Sequence, residues 1–191
     1  MNLSVLFFLL SRLTLLLGAG FLVALGVSRL HTEHPAEELA TQGFLASLAV
    51  TAVLYISFHF KKQISSRLLP KEALCAIASA WILAVALGAL PYYYGTVDLS
   101  WADAWFGSSS GLTTTGSSIF ESVTQVAPSL LFWRSLSQWL GGLGVIVFFI
   151  AVLPSLGTGA KLLYHNETSH GSSDVDYDRI QNAALLILLL Y

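Results

Sequence analysis

Four stretches of this chain are too long and too apolar to be read as core helices of a soluble domain. They run from about Leu13 to Val27, Leu39 to Phe60, Ala73 to Leu90 and Leu130 to Leu153. Each meets a stop signal. The first ends at the polar patch Ser28-Arg29-Leu30-His31-Thr32-Glu33-His34-Pro35, the second at Lys61-Lys62-Gln63, the third at Pro91 and the fourth at Pro154. About 20 helical residues, at about 1.5 Å each, cover a ~30 Å hydrocarbon core. Apolar runs of this kind, separated by polar loops, predict an all-α polytopic membrane protein whose first partner is lipid. Composition agrees. The chain is 55% hydrophobic and 10% charged, whereas a soluble domain is about a quarter charged.

Other classes fall away on charge and cysteine usage. A net charge of −2 leaves no basic footprint, which excludes nucleic acid as a partner. One cysteine, Cys75, excludes an intrachain disulfide framework and a multi-cysteine metal site. In its apolar run it reads as a small packed thiol. The N-terminus is mostly apolar from Leu3 to Val27, interrupted by Arg12, and longer than the hydrophobic region of a signal peptide. A retained helix is expected, beginning near Arg12, with that side chain snorkelling to the interface.

The basic residues set the orientation. Lys61, Lys62, Arg67 and Lys71 share one loop, which places it in the cytoplasm together with the N-terminus. Residues 92–129 carry Asp98, Asp103 and Glu121 and no Lys or Arg, so that segment belongs outside. The stretch after Pro154 returns inside with Lys161. A fifth apolar run starts near Ile180 and reaches Tyr191; about twelve residues span only about 18 Å, so the chain is expected to be the N-terminal piece of a longer one. The predicted organisation is two leading helices (1–70), a repeat of helix, re-entrant loop and helix (71–157), a cytoplasmic loop (158–178) and the start of a next helix (179–191).

The outer segment holds the most polar tract, Ser108-Ser109-Ser110-Gly111-Leu112-Thr113-Thr114-Thr115-Gly116-Ser117-Ser118. Ahead of it, Trp101, Trp105 and Phe106 fall on one helical face. Ser100 stands where an N-cap would, and Asp103 occupies the capping-box position. These signals predict a short helix from Trp101 to Ser110, ending at Gly111 and too short to span, so re-entrant. After it a strand-like Thr run is expected, closed by Gly116. Irregular backbone at membrane depth must be buried in protein or line a water-filled cavity. Carbonyls of such a turn can replace an ion's hydration shell, Gly116 permits the required angles, and the helix directs its partly negative C-terminus at a cation.

Three other readings fit parts of the tract. A solvated Ser/Thr/Gly linker accounts for the composition. The two glycines of Gly111-Leu112-Thr113-Thr114-Thr115-Gly116-Ser117 match a phosphate loop, but Ser117 stands where lysine is required. Gly107-Ser108-Ser109-Ser110-Gly111 matches G-x-S-x-G with Ser109 as nucleophile of an intramembrane hydrolase. That elbow needs a preceding strand and Asp and His partners, and His165 and His170 fall on the opposite side of the membrane.

Two longer motifs carry a family likeness. Asp103-Ala104-Trp105-Phe106, Ser110 to Gly116, and Leu131-Phe132-Trp133-Arg134-Ser135-Leu136-Ser137-Gln138-Trp139-Leu140-Gly141-Gly142-Leu143-Gly144-Val145-Ile146-Val147 together resemble the first pore repeat of the Trk/Ktr/HKT potassium-transporter superfamily, and within it the TrkH branch. Ala151-Val152-Leu153-Pro154 and Gly157 to Tyr164 continue the likeness. It implies a bacterial inner-membrane potassium-uptake protein, not an enzyme, with four such repeats around one pore and K⁺ as the transported ion. No covalent cofactor is implied. The filter positions carry over as Thr113, Thr114, Thr115 and Gly116. The family further implies a cytoplasmic nucleotide-binding regulatory subunit, a dimer of the full-length protein, and pore repeats beyond this chain. Gly107 departs from the pattern, since many relatives have an acidic residue there. A homotetramer with one repeat per subunit is the alternative assembly.

Around the filter, Asp103 and Gly111 belong to the short helix. Gly141, Gly142 and Gly144 remove side chains from one stretch of the fourth apolar helix, which lets a neighbour approach. Arg134 either snorkels at the interface or pairs with Asp103 or Glu121. Trp133 and Trp139 suit an interface belt or packing. His31 and His34 around Glu33 read as a solvated turn. Asp174, Asp176 and Asp178 lack the glycine and distal glutamate of a calcium loop, and Asn166-Glu167-Thr168 is a sequon on the cytoplasmic side.

Overall fold

The long apolar runs fold as helices that pack on one another through their small residues. The computed structural model describes residues 3–60 and 70–144. Helix α1 is Leu3–Leu30, α2 Glu37–His59, α3 Pro70–Gly95 and α4 the short Trp101–Leu112. A single 3-10 turn, Val123–Gln125, precedes α5, which is helical over 128–144. Among the described residues there is no strand. Three helices among the described residues are long and apolar enough to cross a membrane, over Leu6–Leu30, Glu37–His59 and Cys75–Gly95. Of the predicted basic loop, Lys71 lies in the first turn of α3; its residues 61–69, residues 145–153 of the fourth apolar run, the cytoplasmic loop after Pro154 and the fifth run lie outside the described residues.

Element boundaries and the surroundings of one side chain differ from expectation. Helix α1 begins at Leu3, so Arg12 sits inside it and not at its end. Nothing between Leu3 and Arg12 breaks a helix, and the exposed Arg12 guanidinium lies 5.1 Å from the centroid of the Phe8 ring one turn earlier, a cation–π contact that serves a charge poorly supplied with water. Pro91 does not stop α3, which continues to Gly95. Proline removes one N–H donor, and in bundled membrane helices neighbouring packing makes up for the loss. Here the segment after Pro91 presses on α2: a Cβ at Gly43 would stand 2.7 Å from Gly95 N and 3.0 Å from Pro91 O. Cys75 is exposed and not packed, because it lies on an outward face of α3, where an apolar residue needs no protein cover.

The core is aromatic at its centre. Trp133 of α5 is fully buried between α1 and α3. Its ring centroid lies 4.5 Å from that of Phe21, its indole N–H donates to the Gly88 carbonyl at 3.2 Å, and the absent side chain of Gly20 makes room for it. Phe44, Tyr92, Leu17 and Leu130 complete this core. Trp133 is therefore a packing residue, while Trp139 is exposed.

Most polar groups inside the bundle are tied down, locally or across helices. Ser47 and Thr51 donate to carbonyls one turn back, at 2.6 and 2.7 Å, and Ser28 and Thr41 hydroxyls meet at 2.6 Å between α1 and α2. The most consequential is Glu37, which is 2% exposed. Its carboxylate accepts from the Ser129 N–H at 2.8 Å and the Ser129 hydroxyl at 2.7 Å. It thereby satisfies a first-turn amide of α5 and places a negative charge at that helix's positive end.

Candidate functional site

Helix α4 starts where its capping residues dictate. The Ser100 hydroxyl accepts from the Asp103 N–H at 3.2 Å, and the Asp103 carboxylate accepts from the Ser100 N–H at 3.2 Å, completing the capping box. The same carboxylate oxygen takes the Ser100 hydroxyl at 2.6 Å, so Asp103 is committed to the helix start. The two faces of α4 are then sorted in reverse of a soluble helix. Gly107, Ser108, Ser110 and Gly111 are buried, while Trp101, Trp105 and Phe106 are exposed. The buried face is small and hydroxylated, which permits close approach and supplies its own donors. Ser108 donates to the Val85 carbonyl of α3 at 2.8 Å, and a Cβ at Gly107 would stand 2.8 Å from Ile119 Cδ1.

Helix α4 ends at Leu112, with Thr113 as its C-cap. The chain then makes a tight turn, not the strand-like run expected from three consecutive threonines. The amides of residues 113–116 all fold back on the last turn of α4. Thr113 N–H donates to Ser109 O at 2.9 Å, Thr114 to Gly111 O at 2.9 Å, Thr115 to Ser110 O at 3.0 Å and Gly116 to Ser110 O at 3.3 Å. These bonds satisfy orphan carbonyls of the helix end, and that local gain outweighs the weak strand preference of threonine.

The dihedral angles give this turn two unlike sides. Thr113 has φ −82°, Thr114 +58° and Gly116 +81°, with Thr115 on the negative side. The sign of φ thus alternates along the four residues, a pattern that tends to gather successive N–H groups on one side and leave the carbonyls to the other. The N–H side is bonded to α4. On the other side, the carbonyls of Thr113, Thr114 and Thr115 accept no hydrogen bond among the described residues, and these three residues are exposed. Their hydroxyls order the rim: Thr113 Oγ1 donates to Ser109 O at 2.8 Å and meets Thr115 Oγ1 at 2.8 Å. A row of free carbonyls beside the negative end of a helix is a cation-ligating arrangement.

Helix α5 backs the turn along one face. Arg134 donates to the Gly116 carbonyl at 2.6 Å, a third arrangement beside the snorkelling and carboxylate pairing weighed from sequence. Ser137 occupies the space a Gly111 side chain would need, with its Oγ 2.5 Å from an ideal Cβ there. Gln138 lies nearest to Gly116. At Gly141 a Cβ would run into the backbone carbonyl of Leu112, and at Gly144 it would touch Trp81 at 3.4 Å. Gly142 is half-buried. The remaining partner is within the tract itself, where Ser110 Oγ donates to Ser117 O at 2.9 Å.

The hydrolase alternative finds no support in this geometry. Ser109 lies within α4, its hydroxyl donating to Phe106 O at 2.9 Å, and a helix, not a strand, leads into it. Glu37 and Ser129 carry no signal in the sequence, and Ser137 and Gln138 stand in the second family motif without an assigned role. Glu37 precedes an apolar run and reads locally as a solvated first-turn acid.

Comparison with known proteins adds a lineage to this geometry. Residues 37–191 match the sequence profile of TrkH, described as a cation transport protein. The chain belongs to the TrkH family. It is 32% identical over 181 residues to the Trk system potassium uptake protein TrkH of Salmonella typhimurium, covering 94% of this chain and 37% of that protein. It is 35% identical over 131 residues to the Trk system potassium uptake protein TrkI of Halomonas elongata, covering 69% of this chain and 27% of that one. With the Trk system potassium uptake protein TrkG of Escherichia coli K12 it shares 35% identity over 112 residues, covering 58% of this chain and 23% of that one. The matched part of this TrkH-family chain thus spans 37% of that TrkH, 27% of TrkI and 23% of TrkG.

Proposed function

We propose that this TrkH-family chain supplies one repeat of a potassium-uptake pore in a bacterial cytoplasmic membrane. K⁺ sheds water onto the carbonyls of Thr113, Thr114 and Thr115, with Gly116 closing the filter turn, and passes inward down its electrochemical gradient without covalent chemistry. The observation that carries this reading is the alternating backbone from Thr113 to Gly116, with amides bonded to α4 and threonine carbonyls open. The names of these three relatives, all Trk system potassium uptake proteins, favour K⁺ as the ion. The other quarters of the pore come from repeats beyond this chain. A cytoplasmic nucleotide-binding subunit and a dimer of the whole protein belong to the same proposal.

Gly116 gives the direct test. Its φ of +81° strains any residue with a Cβ, although space around it is open apart from Gln138 Nε2 at 3.7 Å. Gly116→Ser in the full-length gene product therefore distorts the turn without a core clash. In cells lacking other K⁺ uptake it should slow growth at low K⁺ and raise inhibition by Na⁺. Normal growth and normal Na⁺ sensitivity in that variant would remove the filter assignment.

A further inference from the structure

We infer that Arg134 is a positioning residue that withdraws the Gly116 carbonyl from the cation path and clamps the outer end of the turn. This rests on the reading of residues 113–116 as that path. The free carbonyls of the turn stop at Thr115, and the next one, on Gly116, is taken by the Arg134 guanidinium at 2.6 Å. A carbonyl cannot serve a guanidinium and a desolvated cation equally, because a cation on the same oxygen would sit within a few ångströms of a fixed positive charge in poorly screened surroundings. The ligand row of this repeat is therefore three carbonyls long.

The clamp has a second jaw. Ser110 Oγ of α4 holds the Ser117 carbonyl at 2.9 Å, so the peptide carbonyls just beyond the threonines are fixed alternately to α5 and to α4. Arg134 is itself seated by α5. Its backbone carbonyl accepts the buried Ser137 hydroxyl at 2.7 Å, and Ser137 fills the notch left by Gly111. Among the described residues the Arg134 guanidinium is bonded to the Gly116 carbonyl and forms no ion pair with Asp103, whose Oδ2 is engaged by Ser100. Arginine suits the task because its planar fork donates to a carbonyl while staying charged at any physiological pH.

Losing the clamp frees the Gly116 carbonyl to join the path and lets the turn widen. In the full-length gene product, Arg134→Ala should raise the apparent KM for Rb⁺ or K⁺ uptake and weaken preference for K⁺ over Na⁺ by about tenfold, the loss of one charge-assisted hydrogen bond. Arg134→Lys should restore most of the preference, because an ammonium can still donate to one carbonyl. A role confined to packing would lower the amount of protein and maximal uptake together, leaving KM and the K⁺:Na⁺ ratio as in the wild type. That result, with variant protein present in the membrane, overturns the inference. Hydrogen exchange on the purified full-length protein decides independently of transport. Arg134→Ala should speed exchange of the Thr115 to Ser118 amides by about tenfold while the amides of residues 105–109 stay protected; unchanged exchange at 115–118 overturns the clamp. Should the wild type carry no K⁺, the functional reading fails while exchange still tests the clamp.

Discussion

Thr114 holds a β-branched side chain at φ +58°, a conformation that costs such residues on the order of 1–3 kcal/mol. The cost is offset by its neighbours, whose amides bond to the end of α4. The surrounding structure keeps that strain in place. Glu37 is the opposite case, a buried charge that stabilises. Its carboxylate receives two bonds from Ser129, each charge-assisted. Glu37→Ala should lower the stability of the purified full-length protein by about 3 kcal/mol, read as a drop in thermal unfolding temperature. Glu37→Gln keeps one acceptor and should lose less. An unchanged melting temperature for Glu37→Ala would show that water replaces the carboxylate at the start of α5.

Elements meet here through glycines, and the cost of adding a methyl depends on what faces it. A Cβ at Gly141 has no room beside the backbone of Leu112, whereas one at Gly26 meets nothing within 4 Å. Gly141→Ala should therefore push α5 away from the end of α4 and cost about 1–3 kcal/mol, with loss of uptake. Gly26→Ala, inside α1, should gain up to about 1 kcal/mol of helix propensity. Equal and small effects at both positions, in paired thermal unfolding measurements, would contradict the close α4–α5 contact. The continuation of α3 beyond Pro91 has the same origin. Gly43 lets the last turn, down to Gly95, lie against α2, and tertiary packing carries the helix past a residue that would end it in isolation.

At the scale of the whole molecule, α4 turns its small hydroxylated face inward and its aromatic face outward. Trp101 continues a chain of ring contacts with Tyr93 at 5.4 Å and Trp105 at 6.2 Å, the kind of girdle found where membrane meets water. The basic residues ahead of α3 predict that the threonine turn, which follows the other end of α3, lies on the opposite side of the membrane. With Cys75 replaced by serine, Ser118→Cys, an exposed position, should react with a membrane-impermeant thiol reagent added to intact cells. Ser66→Cys should react only after the membrane is opened. The reverse pattern would invert the topology.

What the sequence determined by itself was local or additive. The membrane class rests on apolar runs summed over about 20 residues, and the start of α4 on a serine and an aspartate three positions apart. The family likeness rests on two contiguous motifs. Each of these signals is complete within a short span of chain, so no tertiary information is needed to read it. The tertiary structure decided everything that depends on which helix meets which. Ser129 lies 92 residues from Glu37, and Arg134 lies 18 residues from the carbonyl it holds. No neighbour of Arg134 in the chain distinguishes a lipid-facing arginine from one that grips Gly116. Nor does a run of threonines say that its amides will fold back on α4. Those outcomes depend on the depth to which α5 settles against α4, and that depth is set by side chains missing at Gly111 and Gly141.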